Sequence, residues 1–306
     1  MTFLSLSMAA IAVLLAATRF APPTLTSPAV VHASLPPRQA SYLGVYASNY
    51  GQVADFARAA GRRPNLVGYY SGWAQPFATT FATTVSAHGA IPYVQIDPTF
   101  ASVAGIAAGD YDAYLRSYAD SVRRFRHAVV IGFGHEMNAH EYSWGYGRTA
   151  PATFIAAWRH IVSLFRRQGA ENVTWLWTIN ADRPGTGPVA DWWPGGSYVT
   201  WVGIDGYYYR PSDTFANVFG KTIDQVRVFT GKPVLLAETA VGPRAGQFVK
   251  IGNLFSGMAS YQALGFVWFD KDQHDGIYHQ DWRIEDSQVA QAGLRLELSG
   301  VRLVHP

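Results

Sequence analysis

Two glutamates stand out because each follows directly on an apolar run. Glu136 lies in Gly134-His135-Glu136-Met137-Asn138, after VVIGF at 129–133, and Glu238 lies in Ala237-Glu238-Thr239, after VLL at 234–236. A carboxylate at the end of a buried strand is costly to desolvate unless it is paired or used. Hydrolysis of a glycosidic bond uses two of them. One protonates the leaving oxygen, and the other attacks the sugar or activates water. A separation of about 5–5.5 Å gives retention of configuration, and a wider gap gives inversion. The acid and its ionised partner need different surroundings. Phe133, Tyr142 and Trp144 are expected to raise the pKa of Glu136 by desolvation. Either glutamate alone also reads as a strand-end salt-bridge partner. The two together point to catalysis.

Eight short runs rich in β-branched and aromatic residues read as buried parallel strands: 42–48, 65–73, 91–98, 129–138, 173–180, 201–209, 233–240 and 265–272. Segments with helical spacing lie between them. The best has Thr149 as a cap, Pro151 in the first turn, and Phe154, Ile155, Trp158, Ile161, Val162 and Phe165 along one face. Gly169 then supplies a left-handed stop. Residues 110–127 and 214–230 repeat the pattern more weakly. Alternation of this kind in 306 residues predicts an α/β fold, a (β/α)8 TIM barrel in a single domain at 42–300. An open doubly wound sheet is the alternative, but no Gly-x-Gly-x-x-Gly follows the first strand and no P-loop motif occurs.

Such barrels carry their sites at the C-terminal ends of the strands. Those ends supply Trp73 (strand two), Asp97 (three), His135 and Asn138 (four), Asn180 (five), Tyr207 (six) and Trp268 (eight) as candidate substrate-binding residues. Asp205 reads as a strand-end orienter, and Asp270, Asp272, His274 and Asp275 as a solvated loop. The loop at 181–200, with Trp192 and Trp193, is expected to shape one side of a cleft.

Other chemistries fit poorly. His135 and His140 are five residues apart, whereas a helical zinc motif needs a spacing of four, so no metal is expected. There is no Gly-x-Ser-x-Gly elbow for a serine hydrolase. With no cysteine, thiolate ligands, disulfides and a cysteine nucleophile are excluded. No cofactor is expected. The sequon at Asn172 opens a buried strand and should stay unused.

The residues around both glutamates resemble glycoside hydrolase family 26, within the clan A barrels. The resemblance rests on His135-Glu136-Met137-Asn138 with Trp144-Gly145, on Ala237-Glu238-Thr239, and on the approach Trp193-Pro194-Gly195 to Trp201-Val202-Gly203-Ile204-Asp205-Gly206-Tyr207. It spans roughly residues 42–298. It implies Glu136 as acid/base, Glu238 as nucleophile and Tyr207 as a hydrogen-bond donor holding the nucleophile ionised. It further implies His135 near the sugar 2-hydroxyl, with Trp144 and Trp268 as stacking platforms. A β-1,4-mannanase is the first expectation. The segment 139–143 is longer than in typical mannanases, and Asp97 stands where mannanases often offer a histidine. Mixed-linkage glucan and β-1,3-xylan therefore stay open, as does a non-catalytic or cell-envelope glycan-binding role.

Residues 1–33 read as a signal peptide or membrane anchor around the apolar run at 8–18, and 34–41 as a linker. A secreted or envelope location follows as an expectation. Net charge is only +3 and the densest basic cluster is Arg123, Arg124 and Arg126, so no nucleic-acid partner is expected. The expected partner is a polysaccharide or oligosaccharide substrate, with membrane contact only through a possible anchor. The protein is expected to be a monomer.

Overall fold

The structure, a computed structural model, describes residues 40–242, 245–273 and 279–305. The expected leader lies outside these residues, as does the expected linker apart from Ala40 and Ser41. Those two residues open the first strand. Among the described residues no helix is long and apolar enough to cross a membrane.

Eight parallel strands form the barrel wall: β1 (Ala40–Tyr46), β2 (Leu66–Gly72), β3 (Ile91–Asp97), β4 (Val129–Phe133), β5 (Val173–Asn180), β6 (Trp201–Asp205), β7 (Val234–Thr239) and β8 (Gly265–Trp268). They pair in chain order, and β8 returns to β1 from Tyr42↔Gly265 to Val45↔Trp268. The sheet is therefore closed, as the alternating pattern predicts. β4 and β6 stop short of their expected ends at 138 and 209. Gly134 and Glu136 take positive φ values of 53° and 54°, which no strand accommodates. β6 loses register with β7 between Ile204 and Asp205.

Small residues set beside large ones fill the barrel interior. Tyr46 lies over Gly68, where a Cβ would come within 2.8 Å of its ring, and Gln95 lies over Gly132. Thr178 fills the space beside Gly203 in the same way. This is a packed core, not a pore.

The outer layer comprises α1 (Tyr50–Ala60), α2 (Thr79–Ala87), α3 (Val103–Ala108), α4 (Asp112–Phe125), α5 (Pro151–Arg167), α6 (Lys221–Phe229), α7 (Gln247–Ser260) and α8 (Gln288–Ser299). The β5–β6 connection holds only a 3-10 turn, Val189–Trp192. A π-turn, Ala216–Gly220, leads into α6. Pro151 does open α5, and Gly169 follows it with φ of 70°. Thr149 is not the cap. That position belongs to Ala150, which makes no side-chain capping bond, and the Thr149 hydroxyl donates to Ser143 O instead.

Trp192 and Trp193 also differ from expectation. Trp192 is fully buried against Phe154 of α5, and Trp193 packs on Trp177 and Phe229. They seal the helix layer where a β5–β6 helix is missing, and Ala181–Pro184 alone in that loop borders a cleft. A short hairpin, β9 (Asp272–Gln273) with β10 (Gln280–Asp281), follows β8. After α8, β11 (Arg302–Leu303) pairs with Ala40 and Ser41 and extends the structure past the expected boundary at 300.

Candidate active site

The backbone break after β4 delivers the first glutamate. Gly134 turns the chain while its N–H donates to Ile96 O, and the Glu136 N–H donates to Thr178 O at 2.9 Å. The chain is thus tied to β3 and β5 on either side. A non-glycine residue at positive φ is held there by its surroundings and is a common feature of functional sites. At β7 no such turn is needed, and the register shift against β6 places Glu238 beside Asp205.

Both carboxylates are buried, but their partners differ. Glu136 Oε1 accepts from Asn180 Nδ2 at 2.6 Å. Burial pushes its pKa up, and the opposing pull of His135 leaves it at about 7. Glu238 accepts two phenol hydroxyls, from Tyr207 to Oε2 at 2.6 Å and from Tyr70 to Oε1. Burial raises its pKa too, while His135 and the two tyrosines pull it back toward the charged form. The raised acid and the hydroxyl-stabilised partner are the division of labour that the two-carboxylate reaction needs.

His135 stands between them electrically. Its Nδ1 lies 2.9 Å from Asp97 Oδ1 and its Nε2 lies 3.1 Å from the Tyr142 hydroxyl. Burial opposes its charge, but Asp97 and the two glutamates outweigh that and lift its pKa to about 9. It is therefore a cation near neutral pH. Asp205 is fully buried, and no side chain donates a hydrogen bond to its carboxylate. Burial and the negative charges of Glu238 and Glu136 push its pKa up.

The remaining candidates separate into supports and surfaces. Asn138 clamps the Asn180 backbone, accepting from its N–H at 2.8 Å and donating to its carbonyl at 2.9 Å. Asn138 is thus a support for Asn180, and it is fully buried. Trp144 donates from Nε1 to His135 O at 2.9 Å and stacks on Tyr142 with centroids 4.5 Å apart. Trp73 is half-buried against Tyr111 and Tyr114, near Phe133.

The platform role expected for Trp268 and Trp144 does not fit their positions. Trp268 is 0% exposed, shares its side of β8 with Phe266, and donates to Trp282 O. Phe266 packs on Phe255 of α7, so this is the outer face of the strand. Strand alternation turns the next residue inward, and Phe269 meets Tyr46 and Tyr207. Trp144 is buried behind Tyr142. The open aromatic surface belongs to Tyr70, which is 37% exposed and stacks on Tyr46, with Tyr142 and Tyr207 half-buried nearby.

Sequence reading missed Tyr70 and Arg183. Tyr70 lies at the end of an apolar run on β2. The available signal was parity: Gly68 and Tyr70 share the inner face, whereas Tyr69 packs outward on Phe81 of α2. Arg183 donates from Nε to Asn180 Oδ1 at 3.0 Å and pairs with Glu141. A cleft of about 570 Å³ runs alongside, lined by Asn180, Asp182, Arg183, Asp205, Tyr207 and Arg210 among others. A second cavity of similar size between α1 and α8, lined by Asp55, Arg58, Arg283 and Asp286, touches neither glutamate. Among the described residues no group of three or more His, Asp or Glu side chains is placed to hold a metal ion.

A closed (β/α)8 barrel brings two buried glutamates near each other at the C-terminal ends of β4 and β7. The family model described as glycosyl hydrolase family 26 matches residues 71–292, and the chain belongs to that family. Among curated proteins it is 28% identical over 260 residues to endoglucanase H of Acetivibrio thermocellus, a match covering 79% of this chain and 28% of the relative. It is 26% identical over 113 residues to β-1,3-xylanase TXYA of Vibrio sp., covering 36% of this chain and 23% of the relative. The chain thus spans under a third of either relative. Among solved structures, the YdhT protein from Bacillus subtilis superposes with a TM-score of 0.65 at 17% identity, covering 87% of this chain and 86% of that one. A family 26 β-mannanase from Bacteroides ovatus gives 0.64 at 15% identity, covering 88% and 91%. These structures share the fold.

Proposed function

We propose that the protein cleaves β-linked polysaccharide by double displacement, with Glu136 as acid/base and Glu238 as nucleophile. The observation that carries this reading is the contrast in partners: an amide and a pKa near 7 at Glu136, against two hydroxyl donors at Glu238. In the first step Glu136 protonates the glycosidic oxygen while Glu238 Oε attacks the anomeric carbon. The C–O bond to the leaving sugar breaks, and a glycosyl ester forms on Glu238. In the second step Glu136, now ionised, takes a proton from water, which attacks the same carbon and frees Glu238. Tyr70 and Tyr207 hold the carboxylate oxygens in place between the two steps.

The polymer proposed first is β-1,4-mannan, in line with the barrel shared with the Bacteroides ovatus mannanase. A β-glucan is the second reading, favoured by the longer match to an endoglucanase. Reducing-sugar release from galactomannan, glucomannan, mixed-linkage glucan, β-1,3-xylan and an envelope glycan extract tests both. Release from one of these that disappears in Glu238→Ala supports the reading. A Glu238→Ala enzyme as active as wild type overturns it. Secretion is proposed with it, from the apolar segment at 8–18; the N-terminal sequence of the mature protein checks that.

A further inference from the structure

We propose that Arg183 is a positioning residue for Glu136, fixing through Glu141 which end of the Asn180 amide faces the acid/base. This rests on Glu136 being the acid/base and extends that reading outward by two residues.

A carboxamide has two nearly isosteric orientations that exchange its donor and acceptor ends. Asn138 fixes the Asn180 backbone from both sides but leaves its side chain free to turn over. Arg183 settles the choice. Its Nε–H can only donate, so Asn180 Oδ1 must face it, at 3.0 Å. Nδ2 then has to face Glu136 Oε1, at 2.6 Å. Were the amide turned over, an oxygen would face the carboxylate and repel its charged form. The guanidinium is itself held by Glu141. The Arg183 side chain is 35% exposed, so its replacement leaves the packed core intact.

The relay matters because Glu136 must serve as acid and then as base. An N–H donor favours its ionised form and limits the upward push of burial. The charged and titratable groups facing Glu136 are His135, Glu238, Arg183 and Glu141, with Tyr142, Tyr207 and Asp205 behind them. Of these, Arg183 acts both by charge and by orienting the neutral Asn180 amide that touches Glu136.

Two neutral substitutions separate those effects. Gln carries an amide nitrogen the same number of bonds from Cα as Arg Nε, and Met carries a methyl group there. Arg183→Gln keeps a donor for Asn180 Oδ1, and Arg183→Met does not. The test is a carboxyl 13C NMR titration of protein labelled at glutamate, with Glu136→Gln assigning the signal. Both variants are expected to titrate higher than wild type, and Arg183→Met at least about half a unit higher than Arg183→Gln. In an Asn180→Ala background the Met and Gln variants should titrate alike. Equal values for Met and Gln in the Asn180 protein would overturn the relay and leave the guanidinium as a charge only. A Met–Gln gap that persists without Asn180 would overturn it equally. The titration needs no substrate, so it stands apart from the catalytic reading, which fails instead if Glu136→Ala retains wild-type activity.

Discussion

At the residue scale, the proposed reaction turns on holding two buried carboxylates in different protonation states. Glu136 must be protonated for the first step, so kcat/KM should fall as pH rises through about 7, the value burial gives it. Glu238 must be ionised, so its titration sets the acid limb. Removing a hydroxyl donor disfavours its charged form, so Tyr207→Phe or Tyr70→Phe should move that limb to higher pH. The expected cost is about tenfold to a hundredfold in kcat/KM, read from pH–rate profiles. An unmoved acid limb in both variants would contradict the nucleophile assignment. Stability carries the complementary sign. The pKa of Glu136 is raised from 4.5 to about 7 in the fold, so its stabilising contribution is full below 4.5 and lost as pH rises through 7. Glu136→Gln, which cannot ionise, should therefore melt above wild type at pH 8, and the gap should close toward pH 4.

The glutamates were legible from sequence because a charged residue after an apolar run is conspicuous. Their partners were not. Tyr70 sits at the end of the apolar run Leu66–Tyr69, and only the inward parity of β2 distinguishes it from Tyr69. Trp268 misled for the reverse reason: tryptophan is a good sugar platform, but alternation along β8 turns this one outward and Phe269 inward.

At the element scale, the strand order followed from composition, and the exceptions lie where the site is built. The β4 run continues in sequence to Asn138, yet the chain leaves the strand at Gly134 so that Glu136 can turn into the barrel mouth. Nothing in a strand-like string signals that break except the glycine. The β5–β6 connection reads as a loop in sequence, as found, but the burial of its tryptophans was hidden because they look like cleft residues. Barrel closure depends on a tight contact at the start of β8. Gly265 has φ of 140°, and a Cβ on it would lie 2.0 Å from the Tyr42 carbonyl of β1. Gly265→Ala should therefore destabilise the fold by at least about 2–3 kcal/mol or prevent folding, as read by denaturant titration. A change under about 0.5 kcal/mol would show that β1 and β8 do not approach this closely.

For the whole molecule, β11 and β1 bind the end of the barrel opposite the site. Asn65, buried on the way into β2, donates from Nδ2 to Val304 O at 2.8 Å, and Arg62 donates to Leu298 O and Val301 O. Truncation after Ser299 leaves Ala40 and Ser41 at the start of β1 without their β11 partner and the Asn65 amide short of a partner. It should lower stability by roughly 1–3 kcal/mol without altering the pH profile, because no site residue lies at that end. Differential scanning calorimetry beside a pH–rate profile checks both halves of that expectation.

Double displacement through Glu238 is checked by proton NMR of the first sugar released from the polymer the enzyme cleaves. The new reducing end should appear as the β-anomer and only later mutarotate to the equilibrium mixture. An α-anomer appearing first would mean a single displacement by water, and Glu238 would then be a base and not a nucleophile.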